Sequence, residues 1–197
     1  VQTEFAPAIF RRMPYSLTLT QKLTMMQNRW TVTRTDATSI DLGYIVQKRM
    51  ALKESVTCTS PDGTTVVFRI QGRKVMEIGG VYDVVDGDGV TIGTLAKNFK
   101  ASLGRSTYTI ETSHGRWTLT ETSQVQAIVR RVLNLVDIPW FMRVQFSLIN
   151  EAGAPVGHVN RANMKIKDTY DIKVDDDRLD VRMAAAMGVA VDAFMNR

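Results

Sequence analysis

The residues best able to do chemistry are six carboxylates near the C-terminal end of the chain: Asp168, Asp171, Asp175, Asp176, Asp177 and Asp180. Oxygen ligands at this density suit a hard cation such as Ca²⁺. The same residue type also caps helices, because orphan N–H groups and the helix dipole favour carboxylates at an N-terminus. Capping demands no fixed spacing and calcium does, so capping is the preferred reading. A second acidic group, Asp83, Asp86 and Asp88, lies beside Gly87, Gly89 and Gly93. The Gly-x-Gly-x-x-x-Gly spacing is one residue longer than a dinucleotide fingerprint, and a β-type run follows where a helix is required. Asp-Gly turn chemistry accounts for these residues.

The chain has two histidines, His114 and His158. Neither belongs to an HExxH pattern, and neither has a second histidine nearby for a zinc site. His114 precedes Gly115 as a turn residue. His158 lies in a predicted strand and is expected to face solvent or a neighbouring loop. The single cysteine, Cys58, allows no internal disulfide and no CxxC pair. A small packed thiol is expected there rather than a nucleophile. GxSxG and P-loop patterns are absent. With no clustered nucleophile, base or metal set, the expectation is a protein that is not a conventional enzyme and needs no cofactor.

Cations offer a different chemistry. Arg11, Arg12, Arg69, Arg73, Lys74, Lys97, Lys100, Arg105, Arg130 and Arg131 are candidates for an anionic-lipid or nucleic-acid surface. Scattered solvation is the plainer alternative. Lysine plus arginine is 25 against 20 for aspartate plus glutamate, a net charge of +5 that mildly favours anionic partners. Aromatics are 8% and no RNP-like stacking motif occurs, which ranks nucleic acid below lipid. At 44% apolar and 23% charged residues, the 197-residue chain is neither disordered, collagen-like nor a disulfide scaffold.

The elements that must hold these residues are mostly β. Trp30–Arg34, Val56–Thr59, Val66–Ile70, Tyr108–Glu111 and Trp117–Thr120 are β-branched and aromatic runs. Ser60–Gly63, Asp86–Gly89, Ser113–Gly115 and Glu151–Gly153 are turn signals. Four hairpins point to an antiparallel meander. An internal repeat supports two similar modules. Asp88–Lys97 followed by Thr107-Tyr108-Thr109-Ile110 matches Ala152–Arg161 followed by Thr169-Tyr170-Asp171-Ile172.

Two segments break the pattern. Val125, Ile128, Val129, Val132, Leu133 and Val136 make a helical stripe ended by Pro139, with a strand over Ala127–Leu133 as the competitor. Leu179–Asn196 is the second, and its stretch Met183–Val191 is apolar or small on every face. Such a helix must be surrounded. Nine residues fall short of the roughly 20 that cross a bilayer. The physical solution is a sheet curled around the helix, which also removes exposed strand edges.

Ile92–Phe99, the Thr-Tyr-x-Ile motif and the tail Leu179-Asp180-Val181-Arg182-Met183 resemble the tubby C-terminal-like superfamily. Within it they are most similar to the phospholipid scramblases and the LURP-one-related proteins. The resemblance implies a closed antiparallel β-barrel of about twelve strands wrapped around a hydrophobic C-terminal central helix. The expected organisation is a single domain over residues 1–197, with 1–14 flexible and 176–196 as the central helix. The two cations by which tubby proteins hold phosphoinositides fall here on Thr94 and Ala96. Lys97, Lys100 and Arg105 are the substitutes expected at a lipid site. An acidic calcium loop of the scramblase kind would fall on Asp168 and Asp177. The implied function is association with an anionic lipid or membrane surface; a soluble scaffold binding a protein partner or small ligand at a barrel end is the alternative. No signal peptide or transmembrane segment is expected, and the expected location is cytoplasmic, peripheral to membrane.

Overall fold

The computed structural model describes residues 14–23, 27–36, 39–48, 56–72, 81–98, 106–123, 144–163 and 168–195. Among them twelve strands follow in chain order: β1 (Tyr15–Leu23), β2 (Gln27–Arg34), β3 (Ile40–Lys48), β4 (Val56–Thr59), β5 (Val66–Gly72), β6 (Val81–Asp86), β7 (Thr91–Lys97), β8 (Thr107–Thr112), β9 (Gly115–Glu121), β10 (Val144–Asn150), β11 (Pro155–Asn163) and β12 (Asp168–Val174). One helix, α1 (Val181–Met195), closes the described chain. Each strand pairs antiparallel with the next, and β12 returns to β1. The sheet is therefore a closed barrel, as the polar-apolar alternation and the enclosed helix require.

Side chains of period two decide what faces inward. Tyr15, Leu17 and Leu19 from β1, Trp117 and Leu119 from β9, and Tyr170, Ile172 and Val174 from β12 are all buried. Thr18, Thr20, Thr118 and Thr120 alternate with them and are half-buried on the outside. The inner set meets α1, of which Met183 through Val191 is buried on every face. Full burial of each large apolar side chain contributes roughly 1.5–3 kcal/mol. The helix fits because it is thin. A Cβ on Gly188 would stand 2.7 Å from Ile172 Cδ1 and 3.0 Å from Leu19 Cδ2.

The repeat read from the sequence is a repeated β-bulge. Between β6 and β7 the register jumps from Val84↔Gly93 to Val85↔Thr91, leaving Ile92 over. Between β10 and β11 it jumps from Leu148↔Gly157 to Ile149↔Pro155, leaving Val156 over. Leu42 between β2 and β3, and Val67 between β4 and β5, are extra residues of the same kind. All four are apolar and pack against the core. Each bulge re-aims the strand close to the turn that feeds it. In the two repeat hairpins the turns close on a side chain. Asp86 Oδ1 accepts from the N–H of Asp88 and Val90, and Asn150 Oδ1 from those of Ala152 and Ala154. Gly89 and Gly153 supply the positive φ, 86° and 80°.

The helix begins later than the expected 176 or 179. Asp180 is its cap: Oδ1 accepts the Arg182 N–H at 2.7 Å, and Ala184 N–H donates to the Asp180 carbonyl at 3.1 Å. Asp175, Asp176 and Asp177 stand outside the helix, in a turn closed by Leu179 N–H on the Asp176 carbonyl. That turn lets Leu179 bury itself in the barrel end, which a continuous helix would not allow. The expected helix over 125–136 and the expected flexible segment 1–14 lie outside the described residues, apart from Pro14.

Candidate functional site

Because the strand order follows the chain and every pairing is antiparallel, connections alternate between the two ends of the barrel. The end where α1 enters carries the links 35–39, 60–65, 87–90, 113–114, 151–154 and 175–180. The far end carries 24–26, 49–55, 73–80, 98–106, 122–143 and 164–167. This alternation sorts the charges. In sequence, the entry links hold Asp36, Asp62, Asp88, Glu151, Asp175, Asp176, Asp177 and Asp180 against Arg178. The far links hold Arg49, Lys53, Arg73, Lys74, Lys100, Arg105, Arg130, Arg131, Arg143, Lys165 and Lys167 against Glu54, Glu77 and Asp137. By sequence, the connections that leave one end of the barrel are net acidic and those that leave the other are net basic.

At the entry end the acids are engaged in holding the chain. Buried Asp176 accepts the Trp117 Nε1–H at 3.0 Å. Arg178 clasps the same carboxylate through Nε at 3.0 Å and a terminal nitrogen at 2.8 Å, and reaches Glu151 at 2.9 Å. Its guanidinium also lies over the Trp117 ring, 5.6 Å from the centroid. The Arg178 hydrogen bond holds the Asp176 carboxyl below the usual carboxylate range, against the opposing pull of burial. Tyr15 donates its hydroxyl to the Leu179 carbonyl at 2.9 Å, and burial pushes that phenol well above its ordinary value. Beside this latch lies a groove of about 930 Å³ between the 60–65 and 86–88 turns, with Asp41, Leu42, Val67, Arg69 and Arg182 in its walls. Asp62 in its rim is occupied by Ser60 and Thr64.

The structure does not bring the two expected calcium ligands together. Asp168 opens β12 at the far end and pairs with Arg161 at 2.7 Å. Asp177 lies past the other end of β12. A strand of that length separates them by about 20 Å. Among the described residues no group of three or more His, Cys, Asp or Glu is placed to hold a metal ion.

Of the expected lipid residues, Lys97 is the last residue of β7, at the far end. Alternation puts it on the Leu95 side, half-buried at the mouth of the barrel. Lys100 and Arg105 lie outside the described residues, in the 98–106 link that leaves the same end. Thr94 and Ala96 alternate with Leu95 on the outer face of β7, half-buried. His158 is exposed on β11, opposite Ser147 of β10, in a shallow depression of about 280 Å³ with Gln145, Asn160 and Thr122. No carboxylate is among its lining residues. His114 is an exposed turn residue. Cys58 is buried, and burial pushes its thiol up to about 12.

Sequence reasoning missed Lys22 and Arg29. They are cross-strand partners on β1 and β2, both exposed, close to the far end. Nothing in a single sequence shows that two residues seven positions apart face each other until the register is known.

The family model for LURP-one-related proteins matches residues 42–192. No curated protein and no solved structure matches the chain. The matched span runs from β3 into α1 and takes in the bulged residues Leu42, Val67, Ile92 and Val156, the Trp117–Asp176–Arg178 contacts and most of the enclosed helix. With three quarters of its length inside that match, and with the twelve-stranded barrel closed around a C-terminal helix, the chain belongs to the LURP-one-related family of the tubby-like superfamily.

Proposed function

We propose that this protein is a non-enzymatic module that docks the far end of its barrel on an anionic phospholipid surface. The observation that carries the proposal is the segregation of charge between the two ends. Each Lys or Arg held near an anionic surface is worth about 1 kcal/mol. In sequence, five of the six connections that leave the far end carry cations. The acidic end points away, which suits an end-on approach. Among the described residues no helix is long and apolar enough to cross a membrane. α1 is enclosed by the sheet and serves as core.

Co-sedimentation with vesicles tests the proposal. Phosphatidylcholine vesicles should leave the protein in solution, and vesicles that also contain phosphatidylserine should carry it down. The effect should fade as salt rises, because the Debye length shrinks from about 10 Å at 0.1 M towards 3 Å at 1 M. Equal partitioning onto both vesicles, or binding indifferent to salt, would contradict it. The groove at the entry end supports a second reading, a scaffold that takes a protein segment or small ligand. Its volume of about 930 Å³ lies within the usual range for ligand sites, about 300–1,000 Å³. Salt-insensitive failure to bind any vesicle would favour that reading.

A further inference from the structure

Lys22 and Arg29 stand directly opposite each other on β1 and β2. Directly opposed residues on an antiparallel pair have Cβ atoms about 4.5–5.5 Å apart, and like charges there are destabilising. Both side chains are exposed on the outer face. Their neighbours along the register are Thr20, Thr31 and Val46, none of them a carboxylate. Among the described residues no ion pair joins either cation to an acid. The other exposed arginine of an outward strand face with a comparable setting, Arg116, is matched with Glu111 across the β8–β9 pair. Arg116 thus faces a carboxylate across its strand pair, where Lys22 and Arg29 face each other.

We propose that Lys22 and Arg29 form a clamp for one phosphate group of an anionic phospholipid. A phosphate between them relieves their repulsion and takes charge-assisted hydrogen bonds from both, two donors from the guanidinium fork and one from the ammonium. The inference rests on the docking of the basic end and assigns to it a defined phosphate subsite. In the closed strand order β1 lies six positions from β7 whichever way the barrel is traversed. The clamp is thus on the side of the rim opposite Lys97.

The full chain and a Lys22→Ala/Arg29→Ala variant should be compared on phosphatidylcholine vesicles containing phosphatidic acid. Binding at low salt should fall roughly thirtyfold, the fold-change equivalent to two cations at about 1 kcal/mol each. The melting temperature should hold or rise, because a like-charge pair is removed. A Lys173→Ala/Arg116→Ala variant removes the same charge from strands near the entry end and should lose far less binding. Lys22→Arg/Arg29→Lys should keep most of it. Inorganic phosphate, at ionic strength matched with chloride, should raise the melting temperature of the wild type and not of the Lys22/Arg29 variant. If the wild type binds vesicles and both double-alanine variants lose binding equally, net charge explains the effect and the clamp is wrong. If the wild type responds to phosphate in solution but never binds vesicles, the lipid source and the docking reading both fall.

Discussion

Asp176 meets three groups at once: an indole N–H, a guanidinium and the backbone of the turn that leads into α1. Its carboxyl is held below its ordinary value, chiefly by Arg178. The stabilisation is therefore complete above the unfolded-state value near about 4 and is lost as pH falls through the lower folded value. Asp176→Asn should cost about 1.5–3 kcal/mol at neutral pH, the range for a hydrogen bond to a charged group. Urea titrations at a series of pH values should show the gap between wild type and variant constant from neutral pH down to about 5 and closing below about 4. A gap that stays constant to the lowest pH would show that the carboxylate charge is not what holds the turn. The acidic run was legible in the sequence, as were its turn and cap roles. Which aspartate caps α1 was not, because Asp175 to Asp180 offers four candidates and only the burial of Leu179 selects Asp180. The pairing of Lys22 with Arg29 was likewise invisible, since it depends on register alone.

The enclosed helix was the most readable element. Met183 to Val191 leaves no polar face, so a surrounding sheet followed from burial alone. Met187 is buried between α1 and the barrel wall. Met187→Asp would place an unpaired carboxylate there and should destabilise the fold by about 4 kcal/mol or more. Met187→Leu should cost less than about 1.5 kcal/mol, because volume and polarity are conserved. Thermal and urea unfolding of the two variants checks this, and an unchanged midpoint for Met187→Asp would remove α1 from the core. The bulges were only half legible. Ile92-Gly93 and Val156-Gly157 stood out as a repeat. Leu42-Gly43 is a third instance, and Val67-Phe68 performs the same register shift with no glycine to mark it. The glycine is required only where backbone comes close. A Cβ at Gly43 or Gly157 would overlap the carbonyl oxygen of Thr59 or Lys173.

The proposed function belongs to the scale of the whole barrel, which is also where the sequence says least. The cations and acids are interspersed along the chain, and their sum is only +5. Strand order divides that mixture into acidic connections at one end and basic connections at the other, a division that appears only once strand order is known. The resemblance of 92–99 to a lipid-binding strand pointed to Lys97, which ends β7 at the far end, although Thr94 and Ala96 supply no cation on that strand. It also pointed to Asp168 and Asp177 as a pair, which β12 holds apart. The central claim, that the far end meets an anionic surface, is tested most directly by vesicle co-sedimentation of a Lys97→Ala/Lys100→Ala/Arg105→Ala variant beside the wild type at low salt. Three cations at about 1 kcal/mol each predict a loss of roughly two decades in affinity for phosphatidylserine-containing vesicles, with the fold unchanged. Equal binding by the variant and the wild type would contradict the account.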